Sequence, residues 1–171
     1  MTESEFVDIL KTGNFKERFD AVSRINPAYL THAASDKDRS IRYKVTLRIP
    51  AENLSLLIND PYKEIRLIAA KRIDAKELPK MINDKSFWVR HAVAERIDES
   101  FLPSLMDDKE PIVRIMVVER IGKEYLKDMI GDDEALVRKA VAKRIPAKYL
   151  LLLQNDVSES VKNIISKRLN K

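Results

Sequence analysis

Residues 84–107 read DKSFWVRHAVAERIDESFLPSLMD, and residues 108–131 read DKEPIVRIMVVERIGKEYLKDMIG. The two segments align without a gap and share Asp, Val-Arg, Glu-Arg-Ile and Leu at the same positions. A fixed period of this kind is typical of repeat proteins, in which each unit buries its apolar face against the next one. The sequence therefore predicts a stack of 24-residue units instead of a compact domain.

The same period continues along the rest of the chain. A first basic column stands six residues after each aspartate of the period, and a second arginine column stands six residues further on. Every arginine except Arg39 belongs to one of these two columns. The recurring aspartates are Asp36, Asp60, Asp84, Asp108, Asp132 and Asp156.

Each unit has the pattern of two short helices. In the third unit, Ile65, Ile68, Ala69 and Ile73 have the spacing of one helical face, which predicts a helix over residues 63–73. The shorter helix carries a leucine column at positions 30, 54, 78, 102, 126 and 150. Prolines such as Pro79 stand early in it, so we expect one or two turns with 3₁₀ character.

The repeats fill the chain and predict a single helical-repeat solenoid over residues 1–171. The first unit is degenerate, and residues 1–35 are predicted to form an N-terminal capping repeat that begins with a short helix over residues 3–11. Residues 157–171 are predicted to form a C-terminal capping helix, because its outer positions are polar, as terminal repeats require.

The repeat unit resembles the leucine-rich repeat variant family of bacteria. The clearest matches are VRHAVA at residues 89–94 and VRKAVA at residues 137–142. The resemblance implies an all-α fold, a right-handed α-solenoid (an α–α superhelix) of about seven two-helix repeats whose short helix is a 3₁₀ helix. The Asp-to-Arg spacing is also similar to that of HEAT repeats, but those units are longer, at about 40 residues.

Two departures from the family pattern bear on function. The family commonly has Asn-Pro where this chain has Arg-Ile, for example at Arg96 and Ile97. The founding type carries an N-terminal iron–sulfur cluster bound by cysteines, and this chain has no cysteine. We therefore expect no such cofactor and no redox role.

Composition argues against several other classes of protein. The absence of cysteine excludes thiol catalysis, and the 3 glycines leave no room for a phosphate-binding glycine loop. His32 and His91 lack the spacing of zinc ligands. No apolar run suits a membrane span, and residues 1–10 are acidic, unlike a secretory signal. We expect a cytoplasmic protein that is not an enzyme, with no catalytic residues, metal site or cofactor.

The first arginine column is predicted to be structural. On a helical wheel, Arg42 falls about 100° from Ile41, at the edge of the apolar arc. A partly buried guanidinium needs a partner, and the aspartate column has the matching period. The predicted Asp–Arg ladder comprises Asp36, Arg42, Asp60, Arg66, Asp84, Arg90, Asp108, Arg114, Asp132 and Arg138.

The second arginine column has two interpretations. Its residues stand in the last turn of each longer helix, where a cation suits the helix dipole and the free carbonyls need donors. If they are exposed instead, the column becomes a basic stripe for nucleic acid, which is the alternative function. The residues concerned are Arg48, Arg72, Arg96, Arg120 and Arg144.

The primary functional prediction is a non-enzymatic scaffold that binds another protein. A column about 200° from Ile41 varies in chemistry between units, is apolar in several of them, and points away from the predicted packing arc. Aromatic and apolar side chains on such a face are typical of protein interfaces. If the helical phase differs, neighbouring helices cover this column, so both interpretations remain open. The candidate partner-binding residues are Tyr43, Leu67, His91 and Ile115 in this column, with Phe87 and Trp88 nearby.

Overall fold

A computed structural model describes residues 1–170 and shows only helices there. The α-helices are α1 (Glu3–Thr12), α2 (Phe15–Arg24), α3 (Arg39–Arg48), α4 (Lys63–Arg72), α5 (Phe87–Arg96), α6 (Pro111–Arg120), α7 (Ala135–Arg144), α8 (Ala147–Leu150) and α9 (Glu159–Leu169). The 3₁₀ helices are Pro27–Ala33, Ala51–Leu57, Ala75–Met81, Glu99–Leu105, Leu126–Met129 and Leu151–Leu153. The predicted alternation of a longer α-helix with a short 3₁₀ segment is confirmed.

The chain divides into two compact units. In the first, residues 1–81, helix α1 packs on α2, α2 on α3, and α3 on α4. In the second, residues 82–170, helix α5 packs on α6, α6 on α7, and α7 on α9. Within each unit every longer helix thus contacts its neighbours in sequence, which is the packing of a helical-repeat solenoid.

The longer helices of the repeats end in the same way. The isoleucine after the last helical arginine has an extended ψ angle, for example 153° at Ile97, and so turns the chain away from the helix axis. The N–H of Ile97 still donates to the Val93 carbonyl at 2.8 Å, which closes the last helical turn. The prolines inside the 3₁₀ segments do not stand early in them, contrary to the expectation from the sequence. Pro103 is the fifth residue of Glu99–Leu105, and its carbonyl accepts from the Met106 N–H at 3.3 Å.

The apolar columns of the sequence form the core of each unit. Ile41, Val45, Ile49 and Leu54 are fully buried in the first unit, and their equivalents in the second are buried to the same extent. Each such side chain contributes about 1.5–3 kcal/mol relative to an exposed one. The second-unit equivalents include Val89, Val93, Ile97, Leu102, Val113, Val117, Ile121 and Leu126.

The N-terminal helix matches the predicted residues 3–11 to within one residue. Helix α1 has ten residues and begins at a capping box, in which the Thr2 hydroxyl accepts from the Glu5 N–H at 3.2 Å. The Glu5 carboxylate accepts from the Thr2 N–H at 2.8 Å in return, and that bond lowers the pKa of Glu5. This reciprocal capping gives partners to two N–H groups at the start of the helix that would otherwise have none.

At the other end of the chain, helix α9 begins after Ser158. It lies within the predicted C-terminal capping segment, whose last residue, Lys171, lies outside the described residues. None of the helices in residues 1–170 has the length and apolar character needed to cross a membrane.

Candidate functional site

The first arginine column pairs with aspartates of the following repeat. In the second unit, the Arg90 Nε donates to Asp108 Oδ2 at 2.6 Å and its Nη2 donates to Oδ1 at 2.8 Å. The two side chains are only 6% and 4% exposed, so this bidentate pair is buried. Equivalent pairs join Arg18 to Asp36, Arg42 to Asp60, Arg114 to Asp132 and Arg138 to Asp156.

Each pair is also tied to the backbone on both sides. The Arg90 Nη1 donates to the backbone carbonyl of Asp84, six residues earlier, at 2.8 Å. The Asp108 Oδ1 accepts the N–H of Glu110, the residue that precedes helix α6, at 2.9 Å. One arginine therefore links the turn of its own repeat to the turn that starts the next longer helix.

Electrostatics keeps both partners charged. The hydrogen bond that Arg42 donates to Asp60 raises the pKa of Arg42, and the bond to Asp108 does the same for Arg90. Burial is the largest influence on Asp108 and raises its pKa, but the hydrogen bonds from Arg90 and the Glu110 N–H, together with the charges of Arg90 and Lys109, outweigh it. The pKa of Asp108 therefore lies below its ordinary value. Since the charges are neutralised in place, these arginines add little to the outward electrostatic field.

Two other residues of the predicted ladder, Arg66 and Asp84, form hydrogen bonds with main-chain groups. The Arg66 Nη1 donates to the Asp60 carbonyl at 2.7 Å, and Arg66 is buried. The Asp84 Oδ1 accepts the N–H of Ser86 at 2.8 Å, as the other aspartates of the column do at their own turns. The ladder also includes Arg18 and Asp156, which the predicted set omitted although the 24-residue period contains them.

The second arginine column donates to carbonyls at the end of the preceding longer helix. The Arg48 Nη2 lies 2.8 Å from the Ile25 carbonyl, and its Nη1 bonds the Val22 carbonyl. These are the carbonyls that a helix leaves without an internal partner. The same arrangement joins Arg72 to Thr46 and Ile49, Arg120 to Ala94, Arg144 to Val118, and Arg168 to Ala142 and Ile145. Arg96 is half-buried as well.

The candidate partner-binding residues differ in exposure. Tyr43 is 43% exposed in the first unit and Trp88 is 48% exposed in the second, while Leu67 is half-buried. Phe87 is also half-buried and stacks on Trp88, with 4.6 Å between the ring centroids. His91 and Ile115 are half-buried too, so their column lies at the margin of the helix packing and not fully outside it.

The comparison with solved structures identifies the family. One structure, described as a leucine-rich repeat variant with a novel repetitive protein structural motif, has 32% sequence identity and a TM-score of 0.84. The similarity covers 96% of this chain and 71% of that one. The chain belongs to the leucine-rich repeat variant family. It is therefore an all-α helical-repeat solenoid, and the family resemblance inferred from the repeats is confirmed.

Other comparisons add nothing about function. An engineered protein of known structure has 13% identity and a TM-score of 0.42, over 99% of this chain and 96% of that one. No protein-family model matches the leucine-rich repeat variant sequence described here, and no curated protein does either.

The structure adds two residues to the candidate surface of this leucine-rich repeat variant. Ile112 is 40% exposed and Leu136 is 57% exposed, and both occupy the second position of their helices, as Trp88 does. Their 24-residue spacing was visible in the sequence, but neither residue was among the predicted partner-binding residues. We call Trp88, Ile112 and Leu136 the apolar strip.

The same helical position is polar in the first unit. It holds Lys16, Ser40 and Glu64, which are all exposed. The repeat therefore does not require an apolar residue there for its packing, and the apolar strip is a property of residues 82–170 only.

The acidic and histidine side chains of residues 1–170 do not gather into a group suited to a metal ion. That part of the chain contains no cluster of three or more histidine, aspartate or glutamate side chains able to hold a metal ion. The His32 Nε2 lies 2.7 Å from a carboxylate oxygen of Glu3, which links the 3₁₀ helix Pro27–Ala33 to α1 at the surface. The histidine thus has a structural contact in the N-terminal segment.

Proposed function

We propose that this leucine-rich repeat variant is a non-enzymatic scaffold that binds another protein through the apolar strip. The observation that carries the proposal is the exposure of Trp88, Ile112 and Leu136 at one position of three successive longer helices. Adjacent packed helices lie about 8–10 Å apart, so the three side chains form a row that one extended partner surface can cover. Exposed apolar patches of this kind mark protein contacts.

The composition of the apolar strip supports a protein partner. Tryptophan is the residue most enriched among the side chains that dominate binding energy, and Trp88 is supported from one side by Phe87. The supported ring is held in place before binding, which reduces the entropy lost on association. An interface centred on Trp88, with Ile112 and Leu136 beside it, would bury apolar area contributed by three repeats.

Nucleic-acid binding has less support. The second arginine column, on which that alternative depends, donates to main-chain carbonyls and is half-buried. A guanidinium committed to two carbonyls has fewer donors left for phosphate groups. The first column is neutralised by its aspartates.

Site-specific photocrosslinking in the native host tests the proposal. A photoreactive amino acid replaces Leu136 in one variant and Leu152 in a control, because Leu152 is an exposed leucine of the same unit outside the strip. We expect one protein to crosslink at position 136 and not at position 152. Capture of that same protein should then be lost in the double variant I112S/L136S and retained in L152S.

Stability measurements keep this result interpretable. Ile112 and Leu136 are already exposed. The free energy of unfolding of the double variant should therefore differ from that of the native chain by no more than about 0.5 kcal/mol per substitution. The proposal is contradicted if no protein crosslinks at position 136, or if the captured protein binds I112S/L136S as well as it binds the native chain.

A further inference from the structure

The residues that break the repeat pattern converge on one cleft of the first unit. Arg39 is the one arginine outside the two columns, and Tyr62 is the one aromatic residue at its position of the period. Both line a cavity of about 350 Å³. We call this cavity the Arg39 cleft; its lining residues are Arg39, Ser40, Tyr43, Tyr62, Glu64 and Ile65. The other repeats lack an arginine and an aromatic residue at these positions and still pack in the same way. Packing of the solenoid therefore does not explain Arg39 and Tyr62.

The Arg39 guanidinium is positioned but has its donors free. Its central carbon lies 5.2 Å from the centroid of the Tyr62 ring, within the range of a cation–π contact. No carboxylate of residues 1–170 lies within 4 Å of it, whereas the neighbouring Arg42 is paired with Asp60. Arg39 is exposed at the mouth of the cleft and can therefore offer its planar N–H groups to a ligand.

The Asp60 pair holds the aromatic wall of the cleft in place. The Asp60 Oδ1 accepts the Tyr62 N–H at 2.9 Å, and the Arg42 central carbon lies 5.7 Å from the Tyr62 ring centroid. The guanidinium groups of Arg39 and Arg42 thus both lie near the Tyr62 ring, and the hydrogen bond to Asp60 fixes the Tyr62 backbone. Tyr43, 43% exposed, supplies a second aromatic side chain to the same cleft.

Charge on the cleft walls selects the class of ligand. A free guanidinium binds carboxylate in a bidentate geometry. The first turn of α4 has no side-chain cap, so the helix end also favours an anion. Glu64 lies on the same cleft, where it repels a doubly charged phosphate about twice as strongly as a singly charged carboxylate and can accept the N–H groups of a peptide. A peptide with a singly charged carboxylate suits both groups, because the carboxylate can pair with Arg39 while peptide N–H groups donate to Glu64.

We infer that the Arg39 cleft binds an acidic side chain of a partner peptide segment, with the carboxylate on Arg39 and the adjoining apolar stem between Tyr43 and Tyr62. The inference rests on the proposed function only in taking the ligand to be a protein segment. The cleft lies in residues 1–81 and the apolar strip in residues 82–170, so separate variants address the two sites.

Peptide selection from a random phage-displayed library tests the inference. The targets are the full native chain, R39Q, and R24Q as a control that removes the same charge from an exposed arginine of the same unit. We expect the native chain and R24Q to enrich peptides that carry Asp or Glu at one position, and R39Q to lose that enrichment. Thermal unfolding of R39Q should match that of R24Q, because both side chains are exposed.

Affinity measurements complete the test. Replacing the selected acidic residue by its amide should weaken binding to the native chain about tenfold and leave binding to R39Q unchanged. R39K keeps the charge but not the bidentate geometry, so it should fall between the native chain and R39Q.

Several outcomes overturn the inference. These are a selection that yields no binders, native-selected peptides without an acidic preference, and R39Q and R24Q that select the same peptides. If I112S/L136S removes the enrichment, the peptides bind the apolar strip, which overturns the cleft and leaves the proposed function standing.

Discussion

Arg90 of helix α5 and Asp108, 18 residues later, form a bidentate ion pair with an Nε–Oδ2 distance of 2.6 Å. The pair joins two successive repeats, because Asp108 belongs to the turn that precedes helix α6. Its equivalents recur through both units of the chain. In this solenoid, the interface between repeats is therefore partly ionic as well as apolar.

Replacing one partner of this pair should destabilise the chain strongly. In D108N the Arg90 guanidinium keeps its bond to the Asp84 carbonyl but loses its buried counter-charge. We expect a loss of about 3 kcal/mol in the free energy of unfolding, measured by urea denaturation. D107N is the control, since Asp107 is exposed, and it should change the free energy by less than about 0.5 kcal/mol. Equal effects of the two variants would contradict a buried ladder.

The same pair predicts how stability depends on pH. The pKa of Asp108 is lowered in the folded chain, so its stabilising contribution is fully present above the ordinary carboxyl pKa of about 3.9 and is lost as pH falls further. The native chain should therefore lose free energy of unfolding below about pH 4. The decline of the free energy of unfolding should be shallower in D108N. Urea denaturation at several pH values between 7 and 2 measures both profiles. Parallel profiles would show that Asp108 does not contribute.

The second arginine column should contribute to stability through its carbonyl contacts. R48M removes the donors to the Val22 and Ile25 carbonyls and should cost about 1–2 kcal/mol. R24M is a matched control, because Arg24 also ends a longer helix but makes no hydrogen bond to the described residues. Urea denaturation measures the free energy of unfolding of both variants. A decrease in R24M as large as in R48M would assign the effect to the helix dipole instead.

A proline at position 122 should stabilise the chain. Gly122 stands where Pro50 and Pro146 stand in other repeats, and the preceding Ile121 has φ −58° and ψ 151°, close to the angles before those prolines. The three atoms nearest to an added side chain all belong to the flexible Glu124 carboxyl group, which has to move aside. G122P should therefore raise the free energy of unfolding by about 0.4–1 kcal/mol by restricting the unfolded chain, as measured by thermal and urea unfolding. A destabilised variant would show that this turn needs glycine.

Nucleic acid should bind poorly even at low salt. A protein that neutralises several phosphates loses affinity steeply as salt rises, so binding is easiest to detect near 50 mM salt. We expect no tight binding of single- or double-stranded DNA or RNA there by fluorescence anisotropy, because the arginines of both columns, except the exposed Arg24, interact with protein groups. Tight, salt-dependent binding that R120M and R144M weaken would reinstate the nucleic-acid alternative.

Residues in the repeat columns could be interpreted from the sequence alone. The period of 24 placed every longer helix of the repeats to within a residue or two, and the apolar columns predicted the buried Ile41, Val45 and Leu54. The wheel also placed Arg42 at the edge of the apolar arc, where the structure shows a half-buried side chain. These inferences succeed because a helix of fixed pitch relates each residue to its own apolar face.

Only the tertiary structure decided which groups meet between helices. The period allowed Arg42 to pair with either neighbouring aspartate, and the fold gives it the carbonyl of Asp36 and the carboxylate of Asp60. The exposure of Leu136 was equally hidden, because the width of helix surface that a neighbour covers depends on how the two helices cross. A local pattern sets the direction of a side chain from its own helix axis, whereas the partner in that direction belongs to a separate repeat whose position depends on packing.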